Sequence, residues 1–566
     1  MTLASCSKPC MSRISRDLAS SPHNVQINGS VSSNMQSLRH ASTLSSLKMP
    51  HVAVIGAGIA GLRCSDVLAR SGCKVTLLEA RNRIGGRVHQ EETGGHLVDL
   101  GANWIHGTKG NPIMSLAEKT GTKVLDPEEG GALYDASGKR RTDTEAVQLS
   151  GKIWEMVVDA FKYSDEHSAT IDSRISLYEY FQEKLSKAGN DKQECNDLLH
   201  EAQMWGPFVG DPVEKQSLKF FFLEECIEGE NVFVASTYKN ILNHIGKTVT
   251  ATDKVDLHLD TEVVHFDTTA AGGVTVTTST GQKSTFDQVV ITCPLGWLKR
   301  NHSASFTPAL PPRLSDAIEN VNYGRLEKLY VTFPSAFWLR AVDKSNSEDK
   351  ENFPVFTHFH DPSYIDHPKT EAWNQSVVSL AHLPSPCAHP TLLFYIYGPC
   401  ATHAVNLVKD LDPHSERYNA VLRVFAEPFY SRLPTYSSSD PACTPTSFLM
   451  TQWQNDRFAG NGSYCNFQVG LERGDEDIQV MRAADGLTER GIWLAGEHTA
   501  PFIALGTTTG AWWSGEGVAR RICNVYGIKV PEDVALSMPE DSEEDGLKKD
   551  LDGKKADAAN MNGLAI

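Results

Sequence analysis

Between His51 and Glu79 the chain reads HVAVIGAGIAGLRCSDVLARSGCKVTLLE, and few folds accept that order of residues. Val52 to Ile55 is a short apolar run of the kind found in a parallel strand covered on both faces. Gly56, Gly58 and Gly61 follow as G-x-G-x-x-G. The first permits a tight turn, the second lets the backbone come close to a pyrophosphate, and the third lets the next helix sit against the strand. Ile59 to Arg70 has helical character, and its N-terminus aims amide donors and a positive dipole end at the phosphates. Lys74 to Leu78 is a second strand ending at Glu79, 18 residues after Gly61. A carboxylate there accepts from a ribose 2′-hydroxyl and repels a 2′-phosphate. Together these features predict an α/β, Rossmann-type dinucleotide fold and disfavour NADP. A glycine-rich turn without a ligand leaves the acid unexplained. NAD and FAD both remain open on these residues.

A chain of 566 residues exceeds one ordinary core, so two or more lobes are expected. A hydrophobic content of 40% with 22% charged residues suits a globular enzyme, and no apolar run reaches the roughly 18 residues of a membrane span. A formal charge of −17 argues against a nucleic-acid partner and is compatible with a cationic ligand, although solubility alone also explains it. The 12 cysteines are scattered without a C-x-x-C, so neither a metal site nor a disulfide framework is expected. That usage points to an intracellular, cytoplasmic protein. Residues 1–48 are Ser-rich, with Asp17 as their one acid. They suit a disordered leader, a mitochondrial transit peptide, or a start placed too far upstream, since Met49 stands two residues before the first strand. Residues 526–566 read as a disordered acidic tail, and the terminal LAI is not the peroxisomal SKL signal.

The next stretch decides between the dinucleotides. Ala80, Arg81, Gly85, Gly86 and Arg87 stand in EARNRIGGRV, where a second glycine pair and a fixed guanidinium offer further donors to a diphosphate. The run resembles the R-x-G-G-R element of the flavin-containing amine oxidase superfamily. The resemblance extends through GGHLVDLGANWIHGTKGNPI (94–113), VVITCPLGWLK (289–299), YGRLEKLYVTFPSAFW (323–338), TQWQNDRFAGNGSYCNF (451–467) and IWLAGEHTAPFIALGTTTGAWWSGEGVARRI (492–522). The W-I-H-G form is similar to acetylpolyamine and spermine oxidases, and the whole resembles a fungal-type polyamine oxidase. The resemblance implies an FAD-binding domain built from 49–132, 251–298 and 450–525. A mixed α+β substrate-binding domain would comprise 133–250 and 299–449. It further implies FAD contacts from Ala60, Gly101, Ala102, Asn103, Trp104, Val263, Trp453, Gly496, Glu497, Thr507 and Thr508. The closing helix is expected from Gly510 to Ile522. LGTTTGAWWSG holds no cysteine for a flavin tether, so non-covalent FAD is expected.

By the same resemblance the reaction is hydride transfer from the carbon beside a secondary amine to flavin N5. The resulting iminium is hydrolysed to an aldehyde and a shorter amine, and reoxidation of the flavin by O2 gives hydrogen peroxide. Lys328 is expected to reach N5 through water, its pKa lowered by the positive end of the cofactor site and by shielding aromatic walls. His106 accepts from the substrate ammonium. Trp453 and Tyr464, 11 residues apart and so one more than the family spacing, wall the reacting carbon. Each has a plainer reading: a solvated lysine, a structural histidine, aromatic packing. His89, His96 and His498 fit the structural reading better. Glu224, Glu225, Glu228 and Glu230 either pair with distal ammonium groups or form a solvated acidic face. The substrate is expected to be spermine, spermidine or an acetylated form, and the sequence sets neither the preferred one nor an oligomeric state. The alternatives are a histone lysine demethylase-like enzyme, an L-amino-acid oxidase, or an inactive flavoprotein scaffold. A demethylase would add a long coiled coil, and no sustained heptad pattern is present. An amino-acid oxidase would need an arginine for its substrate carboxylate.

Overall fold

The computed structural model describes residues 49–538 apart from 128–129, 190, 341–352, 414 and 535. The leader 1–48 and the polar insertion 343–352, expected as a surface loop, lie outside them. His51–Ile55 is the central strand of a five-stranded parallel sheet ordered Ile492–Leu494, Gln288–Ile291, His51–Ile55, Lys74–Leu78, Val255–His258. Its apolar run serves both faces, as expected of a buried parallel strand. Val52 and Val54 join the core beneath helices Ile59–Arg70 and Thr508–Val525, while Ala53 and Ile55 join the core on the opposite face. The two helices touch where Gly515 meets Ala60: a Cβ on Gly515 would stand 2.1 Å from the Ala60 carbonyl oxygen.

The second lobe rests on a six-stranded sheet ordered Ser447–Met450, Leu326–Thr332, Thr391–Tyr397, Gln375–Ser379, Phe356–Phe359, Gly131–Tyr134. One face packs on helices Gly398–Val408 and Glu416–Tyr430. The other carries Tyr330 and Tyr395 toward Leu100 and Trp453 of the nucleotide lobe. Helices Asp143–His167, Leu177–Ala188 and Lys192–Glu201 cluster around Trp205 and Phe221. Capping boxes from Thr142 with Glu145 and from Ser176 with Glu179 start the first two.

The expected lobe boundaries shift. Helix Lys239–Thr250 puts Ile241, Leu242, Ile245 and Val249 into the nucleotide-side core rather than the substrate lobe. Helix Pro312–Asn320 does the same with Leu314, Ala317 and Ile318. Apolar spacing fixes which face of a helix is buried, not which sheet covers it. The strand Gly131–Tyr134 conversely joins the substrate-side sheet. The tail begins later than 526. Val534 and Met538 are buried against the closing helix, and the Ser537 and Met538 amides donate to Glu516 at 2.7 and 2.8 Å. Glu516 in turn holds the buried Arg63 at 2.6 Å. Among the described residues no helix is long and apolar enough to cross a membrane.

Candidate active site

A cleft of about 340 Å3 is lined by both lobes. Its nucleotide-side wall begins at the glycine turn. Gly56 has a φ of 105°, and a Cβ there would stand 2.6 Å from Thr292 Oγ1. A Cβ on Gly61 would fall 1.9 Å from the Gly56 carbonyl oxygen. Gly61 therefore serves helix packing behind the turn and does not line the cleft, unlike the other expected cofactor contacts. Gly58 has no atom within 4 Å of a Cβ position, so its backbone is open to the cleft. Glu79 is fixed by the Ala57 amide at 2.7 Å and the Arg81 amide at 2.9 Å. Each of its oxygens keeps a second lone pair.

The second glycine loop lies on the first: the Gly85 amide donates to the Ala57 carbonyl at 2.8 Å. Arg81 pairs with Asp456 at 2.7 Å, and Arg87 pairs with Glu497 at 3.0 Å while donating to the Ser463 carbonyl at 2.6 Å. Burial pushes the Glu497 carboxyl up, but the Arg87 guanidinium, with His498 and Cys465, outweighs it and holds the group below its ordinary range. Ala80, Gly86 and Val263 line the same wall, as does Gly496. Thr507 caps the closing helix by accepting from the Gly510 amide at 2.9 Å. The helix starts at Thr508, two residues before the expected Gly510, and runs to Val525. Thr507 and Thr508 line the cleft, so the helix's positive end opens on it.

The opposite wall is organised around the carbonyls of Asp99, Leu100 and Gly101. Lys328 Nζ donates to the Asp99 oxygen at 3.3 Å and to the Gly101 oxygen. Tyr330 Oη donates to the Asp99 oxygen at 2.5 Å, and Trp453 Nε1 to the Leu100 oxygen at 3.2 Å. Lys328 is only 5% exposed. Burial lowers its pKa from 10.5 to about 7, against the opposing pull of Asp99. Burial likewise raises Asp99 to about 7, although Gln90, Lys328 and the Tyr238 amide all favour its charge. Glu327, on the other face of the same strand, accepts from the Trp453 and Gln454 amides at 3.0 and 2.9 Å and so fixes the tryptophan.

Ala102, Asn103, Trp104 and His106 follow Gly101 along the cleft. Tyr395 Oη accepts from Trp104 Nε1 and Asn103 Nδ2, each at 2.9 Å. Tyr464 Oη donates to the Phe208 carbonyl at 2.9 Å, setting its ring as a wall. Lys328, His106, Trp453 and Tyr464 thus share one cleft. Of the four acids near residue 224, Glu224 lines it, whereas Glu228 pairs with Lys109 at the surface at 3.3 Å and Glu230 is exposed. His498 is fully buried away from the cleft, and His96 stacks on His389. Sequence reasoning missed Asp99, Tyr395, Tyr238 and Glu327. Asp99 sits inside the motif 94–113, where a buried acid beside a candidate lysine was the available signal. Tyr395 meets Asn103 across 292 positions and gives no local signal.

An open backbone at Gly58, a second glycine loop stacked on it and a helix N-terminus across the cleft fit an elongated dinucleotide. The buried lysine and aromatic pair stand where that cleft meets the second lobe. Comparisons with known proteins agree. Residues 59–523 match the family model of flavin containing amine oxidoreductases. Polyamine oxidase 2 of Arabidopsis thaliana is 31% identical over 310 residues, which is 51% of this chain and 60% of that protein. Lysine-specific histone demethylase 1 homolog 3 of Oryza sativa subsp. indica is 27% identical over 458 residues, which is 79% of this chain and 51% of that protein. The chain thus spans 51% to 60% of the length of these curated relatives. A double mutant of putrescine oxidase shares the fold with a TM-score of 0.59 at 18% identity, covering 84% of this chain and 99% of that one.

Proposed function

The chain belongs to the flavin containing amine oxidoreductases, a family that works with FAD, and on that premise we propose that it oxidises polyamines such as spermine, spermidine or their acetylated forms. Held in the cleft, the FAD would supply a hydride acceptor for the carbon beside a secondary amine and a route for the electrons to O2, giving hydrogen peroxide, while water hydrolyses the resulting iminium to an aldehyde and a shorter amine. The residues expected to hold it are Gly58, Glu79, Gly85, Gly86, Arg87, Val263, Glu497 and Thr508. Cys293 and Cys465 also line the cleft, but burial keeps both as thiols, raising Cys293 to about 12. Both observations favour the non-covalent cofactor expected from the absence of a cysteine in LGTTTGAWWSG.

The observation that carries this reading is Lys328, a lysine buried among carbonyl oxygens and aromatic rings with its proton held loosely near neutrality. Its neutral amine can orient a water and take or return a proton beside the reacting carbon. Trp453 and Tyr464 exclude bulk water and favour a cationic product through their ring faces. His106 accepts from the substrate ammonium as the amine becomes neutral. Glu224 adds an acidic group to the cleft wall for a further ammonium.

The match of 79% of the chain to the demethylase homolog favours a second reading, oxidation of an N-methylated lysine side chain. One anaerobic panel following flavin bleaching separates the two. Spermine or N1-acetylspermine should bleach the flavin and, in air, give peroxide. Benzylamine, L-amino acids and a methyl-lysine peptide should react far more slowly, and acid precipitation should leave the flavin in solution. Bleaching by L-amino acids or the methylated peptide alone would reject the polyamine reading.

A further inference from the structure

Two segments that close the cofactor end of the cleft meet at one buried hydroxyl. Tyr238 is 1% exposed. Its Oη donates to the Trp104 carbonyl at 2.7 Å and lies 3.2 Å from Thr508 Oγ1. Trp104 stands in the loop that leads to His106, and Thr508 opens the closing helix. A carbonyl oxygen only accepts, so it takes the one hydroxyl hydrogen of Tyr238. The Thr508 hydroxyl then donates its own hydrogen to Tyr238 Oη, and the chain runs in one direction, from helix to loop. The Tyr238 amide is used elsewhere, on the Asp99 carboxylate at 3.0 and 3.2 Å.

A second side chain makes the same crossing one residue further along the helix. Thr509 Oγ1 donates to Asn111 Oδ1 at 2.9 Å, and Asn111 Nδ2 donates to the His106 and Gly107 carbonyls at 3.1 and 2.7 Å. Asn111 is itself held, because its Oδ1 caps helix Pro112–Thr120 by accepting from the Ile113 amide at 2.9 Å. The first turn of the closing helix is thus tied to residues 104–107 at two consecutive positions. That turn carries the Thr508 and Thr509 amides, whose hydrogens have no intrahelical acceptor. Where it sits depends on groups outside the helix. A helix N-terminus stabilises negative charge, so a turn that drifts from the cleft disfavours a reduced, anionic cofactor more than an oxidised, neutral one.

We propose that Tyr238 is a positioning residue of the flavin site: its hydroxyl holds the first turn of the closing helix against the Trp104 loop, and so sets both how tightly the cofactor is held and how readily it is reduced. Tyr238 does not itself line the cleft and acts through Thr508. The inference rests on the FAD site described above and is independent of which amine is oxidised. Losing one hydrogen bond weakens binding by about threefold or more.

Tyr238→Phe tests this, because it removes the hydroxyl alone and keeps the ring and the amide bonds to Asp99. The Kd of FAD for the apoprotein, read by quenching of flavin fluorescence, should rise about threefold or more. The midpoint potential of the bound flavin, read against a reference dye, should fall by about 14 mV or more, a further threefold converted at about 30 mV per decade for two electrons. Thr508→Val breaks the same chain from its other side and should lower the potential similarly. Adding Tyr238→Phe to it should lower the potential little further. Tyr397→Phe loses a bond to the Gln203 carbonyl at 3.1 Å in the substrate-side sheet; it should lower the denaturation midpoint without moving the potential. A Tyr238→Phe potential equal to that of the wild type, fully additive shifts in the double variant, or an equal shift in Tyr397→Phe would each overturn the proposal. Should Tyr238→Phe give no soluble protein, Thr508→Val decides: a lowered potential supports the proposal and an unchanged one overturns it. A wild type that holds FAD but leaves spermine untouched would overturn the polyamine reading, and the potentials would still decide the role of Tyr238. A wild type that takes up no FAD would overturn both.

Discussion

Replacing Lys328 by methionine probes the centre of the site, because the side chain keeps similar bulk and loses its titratable nitrogen. Burial holds Lys328 at about 7 rather than 10.5, a difference of roughly 5 kcal/mol between its protonation states. At pH 7.5 an ordinary lysine is neutral in roughly one molecule in a thousand, whereas Lys328 is mostly neutral. The groups facing it are Asp99, Tyr395 and Tyr330, with the carbonyls of Asp99 and Gly101. The wild type should therefore show an acid limb near pH 7 in kcat/KM for spermine, distinct from the limb set by the substrate's own ammonium. Lys328→Met should retain FAD, lose at least about tenfold in the rate of flavin bleaching, and show its acid limb moved upward, because Asp99 loses the Lys328 charge that favours its ionisation. Stability gives an independent check. Between the folded value of about 7 and the unfolded 10.5, the unfolded chain binds the extra proton. Raising pH across that window therefore stabilises the wild type, and the gain is absent from the methionine variant. Stopped-flow bleaching from pH 6 to 9 and denaturant melts over the same range suffice. A variant that keeps both rate and limb removes Lys328 from the proton chemistry.

Gly61→Ala places a methyl against the Gly56 carbonyl, so the turn cannot close and soluble protein should carry little flavin by absorbance. Gly58→Ala meets no protein atom; it should fold normally by circular dichroism yet bind FAD more weakly, because the methyl enters the space left for the phosphates. Glu516→Ala removes one of the two carboxylates that hold the buried Arg63, leaving Asp66 at 3.0 Å, and frees the Ser537 and Met538 amides. Unfolding should become easier by about 1–3 kcal/mol, read as a lower denaturation midpoint, and an unchanged midpoint would mean that these contacts add no stability.

The nucleotide lobe is readable because its constraints are local. Gly56 and Gly61 are demanded by atoms a few residues away or on the adjoining strand, and Glu79 ends the strand beside them. Lys328 was legible through the motif 323–338, and its lowered pKa was expected, but the partners that surround its nitrogen were not. The Asp99 partner comes from a segment 229 positions distant. The lobe boundary near Lys239 was illegible for a related reason: an amphipathic helix displays its apolar face identically to either core. Tyr395 lies in a buried strand whose pairing is set across the sheet, so its place beside Lys328 exists only once the register is fixed.

The ion pair between Arg63 and Glu516 joins positions 453 apart. At ribosomal speeds of about 5–20 residues per second, the guanidinium emerges roughly half a minute to a minute and a half before its carboxylate is made. Through that interval the face of the first helix that meets the closing helix lacks that partner. Nascent chains stalled before the closing helix should therefore be more protease-sensitive at the first helix than released ones.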